Sequence, residues 1–190
     1  MNNKKNTLIV FALMLLASIV YRVFPNRPLG FAPQIAIALL AGAMVTKKPW
    51  AFALPLLSMF LSDMLYHLIY LMGYGNTPGF YTGQWVNYVL LTSMVVFGFG
   101  IKNYKITNIL LRALMAPTVY FILSNGATWI GGGGYVRPKT WSGLMECYTD
   151  GIPFYQNSIL STLIFSAIFF GVMYWVVKAD KKTTTAIVKY

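Results

Sequence analysis

The run WAFALPLLSMFLSDMLYHLIYLM, residues 50–72, constrains the fold more than any other stretch of the chain. It is apolar enough to cross a bilayer and exceeds the about 20 residues that a crossing needs. Yet it carries Asp63 and His67, four residues apart and so on one helical face. An Asp near the centre of a membrane helix costs on the order of 2.5–3.5 kcal/mol on insertion scales. Such a pair is tolerated where it faces a bundle interior or a watered cavity. Other helices are therefore expected to wrap this polar face, with a pocket at one end of it.

The rest of the chain supplies those helices. Of 190 residues, 57% are hydrophobic and 10% charged, against roughly 25% charged in an ordinary soluble domain. Six spans are expected, at 7–24, 31–46, 49–72, 84–101, 107–130 and 155–178. The fold class is an all-α membrane protein, a single integral membrane domain over 1–190. MNNKKN and the apolar run after it resemble the start of a signal peptide. No small-x-small site precedes Tyr21-Arg22, so the run is read as an uncleaved first helix. Ala36, Ala38, Ala41, Gly42 and Ala43 let backbones approach closely, which marks span 2 as a packed interior helix. Arg22, at the end of span 1, is expected to snorkel to the outer interface.

A net charge of +11 invites a nucleic-acid reading, but its distribution reports orientation instead. Ten lysines, from Lys4 to Lys189, fall in alternate connections and the termini; the opposite connections hold only Arg22, Arg27, Arg137 and Lys139. This is the positive-inside pattern, and it places both termini in the cytoplasm of a multi-pass protein of a bacterial inner membrane. The lipid bilayer is thus an expected partner and nucleic acid is not. The single cysteine, Cys147, excludes an intramolecular disulfide and a multi-cysteine metal site.

Polarity gathers on the outer side. Asp63 lies about 14 Å below the outer end of span 3 by helical rise, and Asn125 and Asn157 fall at the outer ends of spans 5 and 6. A pocket between helices with a few convergent polar groups is the expected binding site. Its polar wall is assigned to Asp63, His67 and Asn125, with Arg27 as a gate or anion contact. Tyr81, Trp129 and Tyr148 are assigned to an aromatic lid, and Glu146, Cys147 and Asn157 to the rim. Asp63 could equally pair with Arg27 or Asn125 to hold helices together. The long connection after span 5 is expected to hinge at Gly131–Gly134 and to lay a short helix, Trp141–Tyr148, over the bundle.

Three other chemistries compete. An Asp and a His in a membrane can relay protons, giving a proton-coupled small-molecule carrier. Cys147 with His67 could form a thiolate–imidazole pair in a membrane enzyme, although HExxH, GxSxG and paired-aspartate patterns are absent from the sequence. Cys147 could also be a soft ligand to a metal carried by the substrate. The preferred reading has no catalytic residue, no resident metal and no cofactor.

The stretches PNRPLGFAPQIAIALLAGA, LPLLSMFLSDMLYH, FILSNGATWI and KTWSGLMECYTDGIPFYQNSIL resemble an uncharacterised bacterial six-helix membrane family, itself similar to the S components of energy-coupling-factor (ECF) vitamin transporters. The resemblance implies an S-component-like bundle that captures a vitamin-like compound, or a metal or corrinoid, from outside. It also implies a coupling subunit with paired ATPases. Those S components dock through an alanine-x-x-x-alanine pattern on the first helix, whereas Ala12 and Ala17 here are spaced by five.

Overall fold

A computed structural model describes residues 3–76, 78–102, 104–131 and 136–187. It is all-α, with α1 Asn3–Arg22, α2 Gln34–Met44, α3 Lys48–Leu71, α4 Gln84–Ser93, α5 Val95–Gly98, α6 Ile106–Gly131 and α7 Trp141–Ile187. Four of these, α1, α3, α6 and α7, contain stretches long and apolar enough to cross a membrane.

α2 organises the bundle. QIAIALLAGAM is apolar on every side, and a helix of that kind belongs in a core. Ile35 to Ala41 are 0–4% exposed, and α2 touches every other helix. Lipid tails are as apolar as leucine, so burial alone gives membrane helices little reason to associate; close backbone packing does. Gly42 and Gly98 provide it. A Cβ on Gly42 would stand 2.3 Å from Val95 O, and one on Gly98 2.3 Å from Leu39 O. The small-residue reading of span 2 thus holds.

Two boundaries differ from expectation. The spans drawn at 31–46 and 84–101 are shorter: α2 is bounded by Pro33 and by extended Val45, and the fourth span breaks at Met94, whose N–H bonds Leu91 O 3.1 Å away. Enclosed by the other helices, α2 has no need of a full bilayer length. In addition, Trp141–Tyr148 is no separate helix, because α7 runs unbroken from Trp141 through Pro153 to Ile187. A proline removes one backbone donor, and neighbouring turns carry the helix past it. Leu160, Ile164, Ile168 and Val172 make an exposed stripe down α7 at the spacing of one helical face. Gly131 ends α6; the remainder of the expected glycine hinge, 132–134, lies outside the described residues.

Contacts divide the bundle into two ends. Tyr104 bonds Met44 Sδ and packs on Phe170 and Tyr174, while Lys48 sits over Phe99. The lysine-bearing connections therefore gather at one end. At the other, Asn157 Nδ2 donates to Leu29 O at 2.8 Å. Gly30, in the left-handed region at φ +79°, lets the first connection press on Phe154, whose O would lie 2.5 Å from a Cβ there. The candidate site lies at this second end.

Candidate functional site

Asp63 is the hub of the polar side chains, and its partner is Arg22. The carboxylate is 2% exposed. Oδ1 accepts from Arg22 Nη1; Oδ2 accepts from Gln84 Nε2 and from the Tyr88 hydroxyl, both at 2.6 Å. Gln84 and Tyr88 stand one turn apart on α4, so this one side chain ties α1, α3 and α4. Arg22 does not snorkel outward: Nη1 also donates to Ser62 Oγ at 2.6 Å. The expected pairing of Asp63 with Arg27 or Asn125 is thereby corrected. A buried carboxylate this close to the end of α1 captures the guanidinium before it can reach water.

Arg27 is fixed differently. Nε donates to Arg22 O at 2.7 Å, Nη1 to Phe31 O at 3.2 Å and Nη2 to Tyr66 OH at 3.2 Å. None of these acceptors is charged. Tyr66 passes its own proton to Arg22 O, which locks the two arginines into one network.

Both arginines line a cavity of about 310 Å3, at the small end of the roughly 300–1,000 Å3 of ligand pockets. Its walls come from the end of α1, the start of α2, the middle of α3, α4, the second half of α6 and the first half of α7. The polar lining includes Arg22, Arg27, Gln34, Asn87, Tyr120, Ser124, Asn125 and Ser158, and the apolar lining Ile35, Met59, Leu91, Phe121 and Phe154. Among the described residues, no carboxylate lines it. Tyr120 OH donates to Asn87 Oδ1 across α6 and α4. Phe121 stacks on Tyr155 at 4.5 Å, and Asn125 Nδ2 donates to Phe121 O at 2.9 Å. Gly151 leaves room for that amide, since a Cβ there would meet Asn125 Oδ1 at 2.5 Å. Gln34 is 2% exposed; its Nε2 reaches Ser18 O at 3.5 Å, while its Oε1 has no partner.

The structure brings two expected site residues, Arg27 and Asn125, into the cavity wall, and the others do not line it. Asp63 stands behind Arg22 as its counter-charge. His67 packs on Tyr70 and Phe80, with Nδ1 buried and unpartnered, where Gly79 approaches α3. Tyr81 is exposed, and its backbone N–H is held by Gln84 Oε1 at 3.2 Å. Trp129 Nε1 donates to Pro138 O at 2.9 Å, with the Lys139 ammonium over its ring. Glu146 and Asp150 both bind Arg137, at 3.0 and 2.7 Å. The bond to Asp150 holds the Arg137 guanidinium above its ordinary range. Cys147 is 6% exposed with Sγ 3.5 Å from Asn125 O, so it faces α6 rather than His67. Tyr148 OH donates to Ile122 O at 2.9 Å, and Asn157 pins the first connection. Arg22, Gln34, Tyr120, Ser124 and Ser158 are among the polar lining groups that sequence reasoning did not assign to the site. Among the described residues, no three His, Cys, Asp or Glu side chains gather as a metal cluster would require.

Fold and cavity together define an all-helical protein of membrane type with a polar, arginine-bearing cavity near one end of its bundle. Over residues 2–186 the chain matches a family described as a family of unknown function (DUF6580), and it belongs to that family. No curated protein and no solved structure matches it.

Proposed function

We propose that the protein is the substrate-binding membrane component of an uptake system for a small molecule. In this reading six spans cross a bacterial inner membrane, both termini are cytoplasmic and the cavity opens outward. The observation that carries it is the cavity of about 310 Å3 at the end of the bundle away from the lysine-bearing connections. The positive-inside rule makes that end the outer one. The arrangement supports binding more than reaction, because Asp63 is committed to three donors and Cys147 to a backbone carbonyl. In the S-component-like form of this reading, a coupling subunit with ATPases drives release.

The test is native mass spectrometry of the detergent-purified protein, followed by a thermal-shift screen of vitamins, corrinoids and metal ions. A retained or stabilising compound that Asn125→Ala no longer holds supports the reading. Co-purification of a partner protein, with no compound bound or stabilising, refutes it.

A further inference from the structure

We propose that the cavity takes a small organic oxyanion, held by the guanidinium groups of Arg22 and Arg27, which also donates an N–H or O–H to Gln34 Oε1. The inference rests on the binding reading above and names the class of ligand.

The first support is a charge count that closes. The sequence has four acidic residues. Asp63 is taken by Arg22; Glu146 and Asp150 are taken by Arg137; Asp180 lies beyond Lys178 on α7, toward the lysine-bearing end. Arg27 is left with neutral acceptors only. A guanidinium has five N–H donors. Arg27 spends three, one on each nitrogen, so each Nη keeps one. The protein bonds of Arg22 all run through Nη1, which leaves the side-on pair Nε and Nη2 without a protein acceptor among the described residues. Planar forks of this kind match carboxylate and phosphate oxygens. Apolar side chains form part of the wall, and an unbalanced cation away from bulk solvent attracts an anion more strongly than it would at a surface.

The second support is independent of charge. Gln34 lines the cavity, and its buried Oε1 accepts nothing. Nε2 reaches Ser18 O at 3.5 Å, so Oε1 is the end of the amide left over. Buried acceptors are paired in native structures, so this oxygen calls for a donor on whatever fills the cavity. Phe121 and Phe154 offer flat apolar surface for the body of the ligand.

A matched set of probes separates the alternatives: 4-aminobenzoate, 4-aminophenyl phosphate, 4-aminobenzamide and 4-aminobenzylamine. Each is titrated into the detergent-purified full chain, with thermal shift and calorimetry as readouts. The expected result is stabilisation by the carboxylate or the phosphate, the stronger of the two naming the oxyanion. Affinity should fall at least tenfold in Arg27→Gln and partly recover in Arg27→Lys. Gln34→Leu should erase the preference for 4-aminobenzoate over benzoate. Because Arg27→Gln could impair folding, Asn87→Asp is the second variant. It keeps an acceptor for Tyr120, puts a negative charge in the wall, and should weaken the acids tenfold while admitting the amine. Stabilisation by the amide or the amine at least equal to that by the acids overturns the oxyanion and leaves the binding reading intact. Silence from all four probes also overturns the oxyanion, and the broader compound screen then decides the binding reading separately.

Discussion

Removing the Asp63 carboxylate should be the most damaging single change to the polar core. In Asp63→Ala, Arg22, Gln84 and Tyr88 lose their shared acceptor. Hydrogen bonds to a charged group contribute about 1.5–3 kcal/mol each. Three of them would give roughly 4.5–9 kcal/mol if they were additive and nothing relaxed. They are not additive, and Arg22, 15% exposed beside the cavity, can recover part of its hydration. Breaking a buried pair from one side costs about 3–5 kcal/mol, and the partial exposure selects the lower end, about 3 kcal/mol. For a chain of 150–250 residues each kcal/mol shifts the melting temperature by about 2–4 °C, so the expected loss is roughly 6–12 °C.

The assay is thermal unfolding in detergent, followed by tryptophan fluorescence. A double-mutant cycle with Arg22→Met sharpens it. Once the carboxylate is gone the arginine has little left to lose, so Asp63→Ala with Arg22→Met should be less destabilised than the sum of the single changes by at least about 1 kcal/mol. A melting temperature for Asp63→Ala within about 1 °C of wild type, or an additive cycle, would refute the clasp.

Three further outcomes follow from the same geometry. Gly79→Ala should lower stability by about 1–3 kcal/mol, because its Cβ would fall 1.9 Å from Asp63 O; an unchanged melting temperature would show that the 78–83 connection does not press on α3. Arg137→Ala should leave the melting temperature nearly unchanged, as its partners are half exposed, and a clear loss would mark that connection as structural. Proposed orientation is checked by labelling in intact cells on a Cys147→Ser background. Tyr74→Cys, 86% exposed, should react with an impermeant maleimide, and Lys47→Cys only after permeabilisation; the reverse order would invert the topology.

What could be read from the sequence follows how each signal is encoded. The interior position of α2 was legible because composition alone carries it: an all-apolar, alanine-rich segment suits helix contact. The clasp was legible from one side only. Asp63 announces itself as a carboxylate in an apolar run, whereas Arg22, 41 residues earlier, has the look of any basic residue at the end of a span. Choosing Arg22 over Arg27 depends on which guanidinium reaches the buried oxygen, and that is fixed by how α1 leans on α3. Gln34 escaped for a related reason. It lies in the first turn of a helix, where polar side chains are ordinary, and only the packing of α2 among the other helices turns it inward. Glu146 misled in the opposite sense, since an acid in a long loop suggests a rim, yet its charge is spent on Arg137, as is that of Asp150. That local pairing has a consequence for the cavity. It withdraws the two carboxylates at that end of the bundle that could have neutralised Arg27, so the positive charge of the site depends on residues that do not line it. Arg137→Ala would release Glu146 and Asp150, and it is expected to weaken oxyanion binding severalfold while leaving the melting temperature nearly unchanged, as measured by calorimetry with 4-aminobenzoate.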